Sequence, residues 1–180
     1  VYGYGSFKFS NDNLGTRGNQ PVLTAIAQSV NGGLVSMAQK MDLCGIFTTA
    51  ENLGIHRAAP QPNEGLPTYG TTHLTMVPSN VYGGIDEIAP ISMATAYAAF
   101  AGNGEVCTPV PIDSITGPDG AEVPFTKSKC KSGVSPDVAA GVAYALEYTV
   151  NNGLARHARS AFGVPHLAKT GTTDDVVDNW

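Results

Sequence analysis

The sequence predicts an α+β domain, and three observations support this class. Apolar residues recur every three or four positions over 21–53, 90–101 and 136–153, which is typical of amphipathic helices. Extended apolar stretches come late in the chain, at 106–125 and 164–168, so strands follow helices instead of alternating with them. With 180 residues, 42% of them hydrophobic and 14% charged, the chain suits one globular domain with a substantial core.

The first helices are predicted from their start and stop signals. Pro21 suits the first position of a helix, which is predicted to continue through 29–31 until the glycine pair 32–33 breaks it. A second helix is predicted from about Leu34. A third covers roughly 46–53, with Thr48 and Glu51 at the spacing of a capping box. The stretch 56–85 then predicts a long irregular segment with a short strand at 73–77.

Two further helices have clear boundaries. Pro90 starts one of them, and the glycines of 102–104 close it. Its inward positions are predicted to be Ile91, Ala94, Tyr97, Ala98 and Ala101. Ser135 caps another helix at Pro136, which runs to Gly153 with Val138, Val142, Leu146 and Val150 on its apolar stripe.

The strands between these helices are predicted at 106–115 and 121–125, joined by a turn at 117–120. Prolines at 109 and 111 make the first an edge or partly irregular strand, because proline cannot donate to a ladder. Cys107 and Cys130 flank this hairpin, and whether they pair in an oxidising compartment or stay reduced is left open. Cys44 is interpreted as a small core residue.

The C-terminal stretch 164–168 is interpreted as a short buried strand that emerges beside polar residues. Alternation on a strand places Lys169 and Gly171 on one face, and Thr170 and Thr172 on the other. The missing side chain at Gly171 lets a ligand backbone approach closely. The threonine hydroxyls can donate hydrogen bonds to a carboxylate, and Lys169 adds positive charge. The pattern therefore predicts an anion-binding site.

Composition excludes several other kinds of site. The net charge is −5 and no basic cluster offsets it, which argues against nucleic-acid binding. No apolar stretch is long enough to span a bilayer. The four histidines are scattered and the three cysteines lack metal-ligand spacing, so we expect neither a metal nor a cofactor.

Two polar motifs together indicate a family. Ser29-Val30-Asn31 has the form S-x-N and Lys169-Thr170-Gly171 the form K-T-G; with S-x-x-K, these are the signature set of penicillin-binding proteins and class A β-lactamases. The sequence resembles the transpeptidase domain of class A (bifunctional) penicillin-binding proteins over nearly the whole chain. Segment 25–31 is similar to the family's S-x-N helix, 84–104 to its next long helix, and 169–180 to its K-T-G region.

The nucleophile motif is the one departure from this resemblance. S-x-x-K should precede S-x-N, but its one literal occurrence, 128–131, follows it in a polar loop and is interpreted as a coincidence. We therefore expect residues 1–180 to be part of a transpeptidase domain, without the N-terminal nucleophile segment and the C-terminal strands. The missing part of the domain is then the chain's first expected partner.

The resemblance implies a fold, an activity and a location. The fold is β-lactamase/transpeptidase-like, with an antiparallel sheet packed against helices and a helical subdomain. The activity is that of a D,D-transpeptidase, which cross-links peptidoglycan stem peptides through an acyl-serine intermediate and is inhibited by β-lactams. The implied place is the extracytoplasmic face of the cell membrane, in the periplasm or cell wall, where other cell-wall synthesis proteins are candidate partners.

The resemblance also implies roles for the motif residues. Ser29 relays a proton toward the leaving D-Ala nitrogen, and Asn31 hydrogen-bonds the substrate amide. Lys169 keeps the local potential positive, while Thr170 and Thr172 bind the substrate carboxylate. The backbone N–H of Thr172 forms half of the oxyanion hole. These roles require Ser29 and Lys169 to face each other across one cleft.

Two alternatives stay open at this point. A chain of the same fold without its nucleophile is a catalytically inactive module that binds peptidoglycan or partner proteins. A serine β-lactamase is the other alternative, and rapid release of the acyl group would identify it.

Overall fold

A computed structural model describes residues 8–12, 15, 18–62, 64–65, 68 and 70–172 of the chain. Within these ranges the helices are α1 (Val22–Ala27), α2 (Asn31–Ala38), α3 (Leu43–Asn52), α4 (Pro90–Ala101) and α5 (Pro136–Asn152). Strands β1 (Glu105–Cys107) and β2 (Cys130–Ser132) form an antiparallel pair. Short 3-10 helices occupy Pro78–Tyr82 and Arg156–Ala158. Helices followed by a small antiparallel sheet confirm the predicted α+β class.

The core lies between α4, β1 and the end of α3. Leu53, Ala96, Ala99 and Val106 form a buried apolar cluster, and α5 also packs against α4. Helix α1 packs on α5, where the N–H of Leu154 donates to the carbonyl of Ala27 at 3.0 Å. Helix α5 therefore contacts both α1 and α4, and α1 in turn contacts α2.

The first predicted helix ends earlier than expected. Ser29 has a φ of 53°, and the chain turns there instead of at the glycines. Its N–H donates to Ile26 O and that of Val30 to Ala25 O, which is the pattern of a Schellman motif. The prediction that Gly32 and Gly33 break the helix is wrong, since both lie in the first turn of α2.

Gly33 serves close packing instead of a turn. A β-carbon there would lie 2.7 Å from that of Ala25, so glycine is what allows α2 to approach α1. The glycine pair in the sequence therefore marks a contact between two helices and not the end of a helix.

Helix α3 starts at Leu43, three residues before the prediction. The side chain of Asp42 accepts from Gly45 N at 2.8 Å and caps it. Glu51 instead accepts from Leu74 N at 3.0 Å and pairs with His73, so the proposed capping box with Thr48 is wrong. The predicted strand at 73–77 is also wrong, because that stretch leads without a ladder into the 3-10 helix.

Helix α4 has its predicted boundaries but a different buried face. Ser92, Ala96 and Ala99 are buried, whereas Ile91 is 58% exposed. The predicted positions 94, 98 and 101 are exposed as well, and Tyr97 is half-buried. This helix carries apolar residues on all of its faces, so their spacing does not identify the buried face.

Helix α5 agrees with its prediction at the start and differs on one face position. Ser135 caps it by accepting from Val138 N, and its buried residues include Leu146 and Val150. Val138, predicted to be apolar core, is half exposed. The buried stripe also contains Thr149.

The hairpin between α4 and α5 differs from the prediction. The first strand is shorter than 106–115, and the predicted strand at 121–125 is wrong, because the partner strand is Cys130–Ser132. Regular pairing is confined to 105–107 with 130–132, while the turn at 117–120 is confirmed by an isolated bridge between Thr116 and Glu122. Cys107 and Cys130 face each other across β1 and β2 and form a disulfide. Cys44 is exposed, so its interpretation as a core residue is wrong.

The prediction of a short buried strand at 164–168 is wrong, because these residues have no regular secondary structure and pair with no strand in the part of the protein that the structure describes. Residues 164–166 are exposed, and 167–170 are partly buried against the helices. Among the described residues, we find no helix with the length and apolar character that a membrane span requires.

Candidate active site

Ser29 occupies a strained turn between α1 and α2. A φ of 53° lies in the left-handed region, which costs a non-glycine residue about 1–2 kcal/mol. The Schellman hydrogen bonds of Ser29 and Val30 hold this conformation. A serine kept where glycine or asparagine is the usual residue makes a functional role for its hydroxyl a specific hypothesis.

The Lys169 ammonium lies against this hydroxyl. Its Nζ donates to Ser29 Oγ at 2.7 Å, across 140 positions of sequence. The same Nζ lies 2.9 Å from the carbonyl oxygen of Thr170 and 3.5 Å from its hydroxyl. The predicted proximity of Ser29 and Lys169 is therefore confirmed, and the ammonium sits among three oxygen atoms.

Burial lowers the pKa of Lys169 below its ordinary value, because desolvation disfavours the charged form. The ion pairs found within the described ranges involve Arg57, His73 and Lys127, so none of them neutralises this ammonium. An unpaired, partly desolvated cation next to a hydroxyl both attracts an anion and yields its proton more readily than an exposed lysine.

Asn31 stands at the start of α2, two residues beyond Ser29. Its side-chain Nδ2 donates to Ser10 O at 2.8 Å, and the N–H of Gly32 donates to Asn11 Oδ1 at 2.9 Å. With Tyr82, Asn31 and Ser10 line an open depression beside the first turn. The hydrogen bond to Ser10 holds the Asn31 amide at this depression, where its predicted role remains a prediction.

The remaining predicted residues follow Lys169 along the chain. Thr170 is half-buried, whereas Gly171 and Thr172 are exposed, as suits groups that bind a ligand from solvent. Their roles stay predictions. Thr173, and with it the rest of the similar segment 169–180, lies outside the described residues.

Two residues that the sequence did not single out for the site lie against its backbone. The hydroxyl of Thr149 on α5 donates to the carbonyl of Ala168. Burial raises the pKa of Tyr97 on α4, and the nearby backbone N–H of Lys169 partly offsets this. A threonine on the apolar stripe of α5 was the available signal, because a buried hydroxyl needs a partner.

The S-x-x-K at 128–131 belongs to the hairpin and not to the group of residues around Ser29 and Lys169. Ser128 lies in the hairpin just before β2, is exposed, and donates to Thr108 O at 2.7 Å. Within the described ranges, no group of three or more His, Cys, Asp or Glu side chains is placed to hold a metal ion.

Comparison with known proteins gives one family match over most of the chain. The family model described as "Penicillin binding protein transpeptidase domain" matches residues 4–179. Penicillin-binding protein 1B of Buchnera aphidicola is 25% identical over 175 residues, which are 97% of this chain and 22% of that protein. The chain thus spans about a fifth of the length of this curated relative.

Solved structures show the same fold. The D,D-transpeptidase domain of a peptidoglycan glycosyltransferase from Eggerthella lenta matches with a TM-score of 0.72 and 21% identity, over 94% of this chain and 45% of that one. The penicillin G acyl-enzyme complex of penicillin-binding protein A from Mycobacterium tuberculosis matches with a TM-score of 0.57 and 22% identity, over 74% and 33% of the two chains. These matches confirm the expected β-lactamase/transpeptidase-like fold.

Proposed function

Since this chain belongs to the penicillin-binding protein transpeptidase domain family, we propose that it forms part of a D,D-transpeptidase of peptidoglycan synthesis. The enzyme would cross-link stem peptides through an acyl-serine intermediate. The observation that carries the proposal is the contact of Lys169 Nζ with Ser29 Oγ, because it joins the S-x-N and K-T-G motifs in one site. The ammonium is partly buried, and none of the ion pairs among the described residues neutralises it, which supports an anionic substrate such as a terminal carboxylate.

The attacking serine belongs, in this proposal, to an S-x-x-K segment in the longer protein. Residues 1–180 are a partial domain, and the rest of the domain completes the site. Coverage supports this division, because the chain aligns with less than half of the Eggerthella lenta transpeptidase domain. The exposed position of Ser128, in the hairpin and bonded to Thr108, supports the interpretation of 128–131 as a coincidence.

Ser29 and Lys169 act together on the leaving group. When the tetrahedral intermediate collapses, the C–N bond to the terminal D-Ala breaks and the departing nitrogen takes a proton from the Ser29 hydroxyl. Lys169, which already donates to Ser29 Oγ, replaces that proton. The lowered pKa of Lys169 helps, since a proton leaves a partly desolvated ammonium more easily.

The threonines and the glycine bind the substrate. Thr170 and Thr172 donate to the carboxylate beside the Lys169 charge, and Gly171 leaves room for the peptide backbone. The N–H of Thr172 supplies half of the oxyanion hole, and one such donor is worth about 10²–10³ in rate. Asn31 binds the substrate amide.

The same site would accept β-lactams, as the penicillin G acyl-enzyme complex of the Mycobacterium tuberculosis neighbour suggests. An extracytoplasmic location is supported by the disulfide between Cys107 and Cys130, because disulfides persist in oxidising compartments. Other cell-wall synthesis proteins are the proposed macromolecular partners.

Labelling with a fluorescent penicillin tests the proposal. We expect the full-length protein to be acylated at a serine upstream of residue 1, and Ser29→Ala to slow acylation by about 10²-fold, the lower range for a positioned proton-transfer group. Ser36→Ala is the matched control, because Ser36 is an exposed serine of α2. A folded protein that takes no label contradicts the proposal and leaves a binding module, and fast release of the label identifies a β-lactamase.

A further inference from the structure

The peptide unit that joins Ala168 to Lys169 is held at its carbonyl by α5. The Thr149 hydroxyl donates to Ala168 O, and Thr149 is only 1% exposed. This contact gives the carbonyl of Ala168 a donor, and a buried polar group without a partner costs about 1–3 kcal/mol. The carbonyl of Ala168 is thereby tied to a rigid 17-residue helix.

The other polar group of the same peptide unit faces α4. The N–H of Lys169 lies near the phenolic oxygen of Tyr97, which is half-buried on that helix. Because a peptide unit is planar, the hydrogen bond at its C=O also restrains its N–H. The position from which the Lys169 side chain leaves the backbone then depends on α5, with α4 packed beside it.

These contacts matter because regular pairing does not fix this segment within the described residues. Residues 163–172 have no regular secondary structure and form no ladder, and 164–166 are exposed. A lysine side chain carries about 2 kcal/mol of rotamer entropy, so an unanchored Lys169 would meet Ser29 only part of the time. The hydrogen bond from Lys169 Nζ to Ser29 Oγ therefore depends on the position of the Lys169 backbone.

We propose that Thr149 is a positioning residue that holds the Ala168–Lys169 peptide unit so that the Lys169 ammonium meets the Ser29 hydroxyl. Tyr97 is its counterpart on α4. Neither side chain touches the reacting atoms, and both act through Lys169. The consequence for the reaction rests on the proposed function, whereas the anchoring itself does not.

A purely structural role for Thr149 has a different signature. Its hydroxyl also lies 2.8 Å from Leu146 O, within its own helix, and this contact alone would satisfy it. Thr95 on α4 offers a matched control, because its hydroxyl donates to Ile91 O at 2.8 Å in the same way. Replacing Thr95 removes a helix back-bond and leaves Ala168 untouched.

The experiment compares Thr149→Val, Thr149→Ser and Thr95→Val in the full-length protein. Valine keeps the shape and removes the donor, whereas serine keeps the donor. We expect Thr149→Val to speed hydrogen exchange in peptides covering 164–172 and to slow penicillin acylation roughly tenfold, a factor within the net worth of one hydrogen bond. The serine variant and Thr95→Val should both behave like the wild type.

The pH profile of acylation gives a readout that a structural role would not move. Burial lowers the pKa of Lys169, so a released and better hydrated Lys169 has a higher pKa. The limb of the profile that Lys169 controls should therefore move to higher pH in Thr149→Val and stay in place in Thr95→Val. If Thr149→Val fails to fold, Tyr97→Phe decides, since it removes only the phenolic oxygen beside the Lys169 N–H and should shift the same limb.

Unchanged exchange and an unchanged pH limb in a folded Thr149→Val would overturn this inference, and so would equal effects in Thr95→Val. Failure of the proposed function is a separate result, because the wild type would then take no penicillin. In that case, exchange over 164–172 and the Lys169 pKa, measured by NMR of ¹³C-labelled lysine, still decide whether Thr149 anchors the segment.

Discussion

The carboxylate of Asp86 shows how a single side chain organises the long segment between α3 and α4. It accepts hydrogen bonds from Thr75 N at 2.7 Å, from the Thr75 hydroxyl at 2.8 Å, from Asn80 Nδ2 at 2.6 Å, and from the Arg57 guanidinium. Burial alone would raise the pKa of Asp86, but these donors outweigh it and hold that pKa below its usual value. A segment with few apolar contacts is thus held by a polar network.

Replacing this carboxylate should destabilise the protein. The side chain of Asp86 is only 2% exposed. We expect Asp86→Asn to lower the free energy of unfolding by about 3 kcal/mol, because it leaves the largely buried Arg57 without its charge partner. Urea unfolding measures the change. Glu87→Gln is the matched control, since Glu87 is exposed, and it should stay within about 0.5 kcal/mol of the wild type.

The sign of the pH dependence follows from the lowered pKa of Asp86. Its contribution is fully present above the unfolded pKa of about 3.9 and is lost as pH falls through the lower, folded value. Unfolding curves between neutral pH and about pH 2 should show this loss in the wild type and a flatter acid limb in Asp86→Asn. Equal acid limbs would contradict the role given to Asp86.

At the scale of elements, the contact of α1 with the end of α5 places the Ser29 turn. A β-carbon at Gly153 would lie 2.4 Å from the carbonyl oxygen of Ala27, so only glycine lets the two helices meet there. Ser29 follows Ala27 by two residues, and α5 also carries Thr149 toward Ala168. One helix therefore supports both halves of the site.

Gly153→Ala should break this contact by steric overlap. The φ of −120° at Gly153 suits any residue, so the effect is packing and not backbone strain. We expect a loss of about 1–3 kcal/mol in the free energy of unfolding, the usual range for overpacking. Penicillin acylation should slow as well, because the Ser29 turn would shift away from Lys169.

Gly141→Ala is the control within the same helix. A β-carbon there meets nothing within 4 Å, so alanine should stabilise α5 by up to about 1 kcal/mol. Urea unfolding compares the two variants. If Gly153→Ala were as stable as Gly141→Ala, the close contact of α1 with α5 would not be needed for folding.

In the molecule as a whole, the candidate site and the disulfide lie on different secondary-structure elements. The site joins the α1–α2 turn, α5 and residues 168–170, whereas Cys107 and Cys130 close a hairpin that packs on α4 through Val106. The crosslinked cysteines are 23 positions apart. The bond therefore supports the hairpin without direct contact with Ser29 or Lys169.

Removing the disulfide should affect stability more than activity. For a loop of this length, the chain-entropy estimate gives about 3 kcal/mol, which we expect Cys107→Ser with Cys130→Ser to lose. The acylation rate of the folded fraction should change less than threefold, about 0.7 kcal/mol. Cys44→Ser is the control, since Cys44 is free and exposed, and a large rate loss in the double variant would show that the hairpin is coupled to the site.

Local signals in the sequence were reliable where a few neighbouring residues decide the structure. Pro90 starts α4 and Ser135 caps α5 as predicted, because these effects act within one turn of helix. The turn at 117–120 and the S-x-N and K-T-G motifs also follow from residues close together in the chain. These motifs predicted the family, which the match over 4–179 shows.

Contacts between residues far apart in the sequence could be identified only from the three-dimensional structure. The sequence predicts a helix break at glycines 32–33, but in the structure α1 packs against Gly33. The buried face of α4 likewise depends on which neighbouring elements cover it. The contact of Lys169 with Ser29 and the Thr149 support of Ala168 join positions far apart in sequence. Residue spacing carries information about one helix or strand, whereas contacts between elements depend on how all of them pack together.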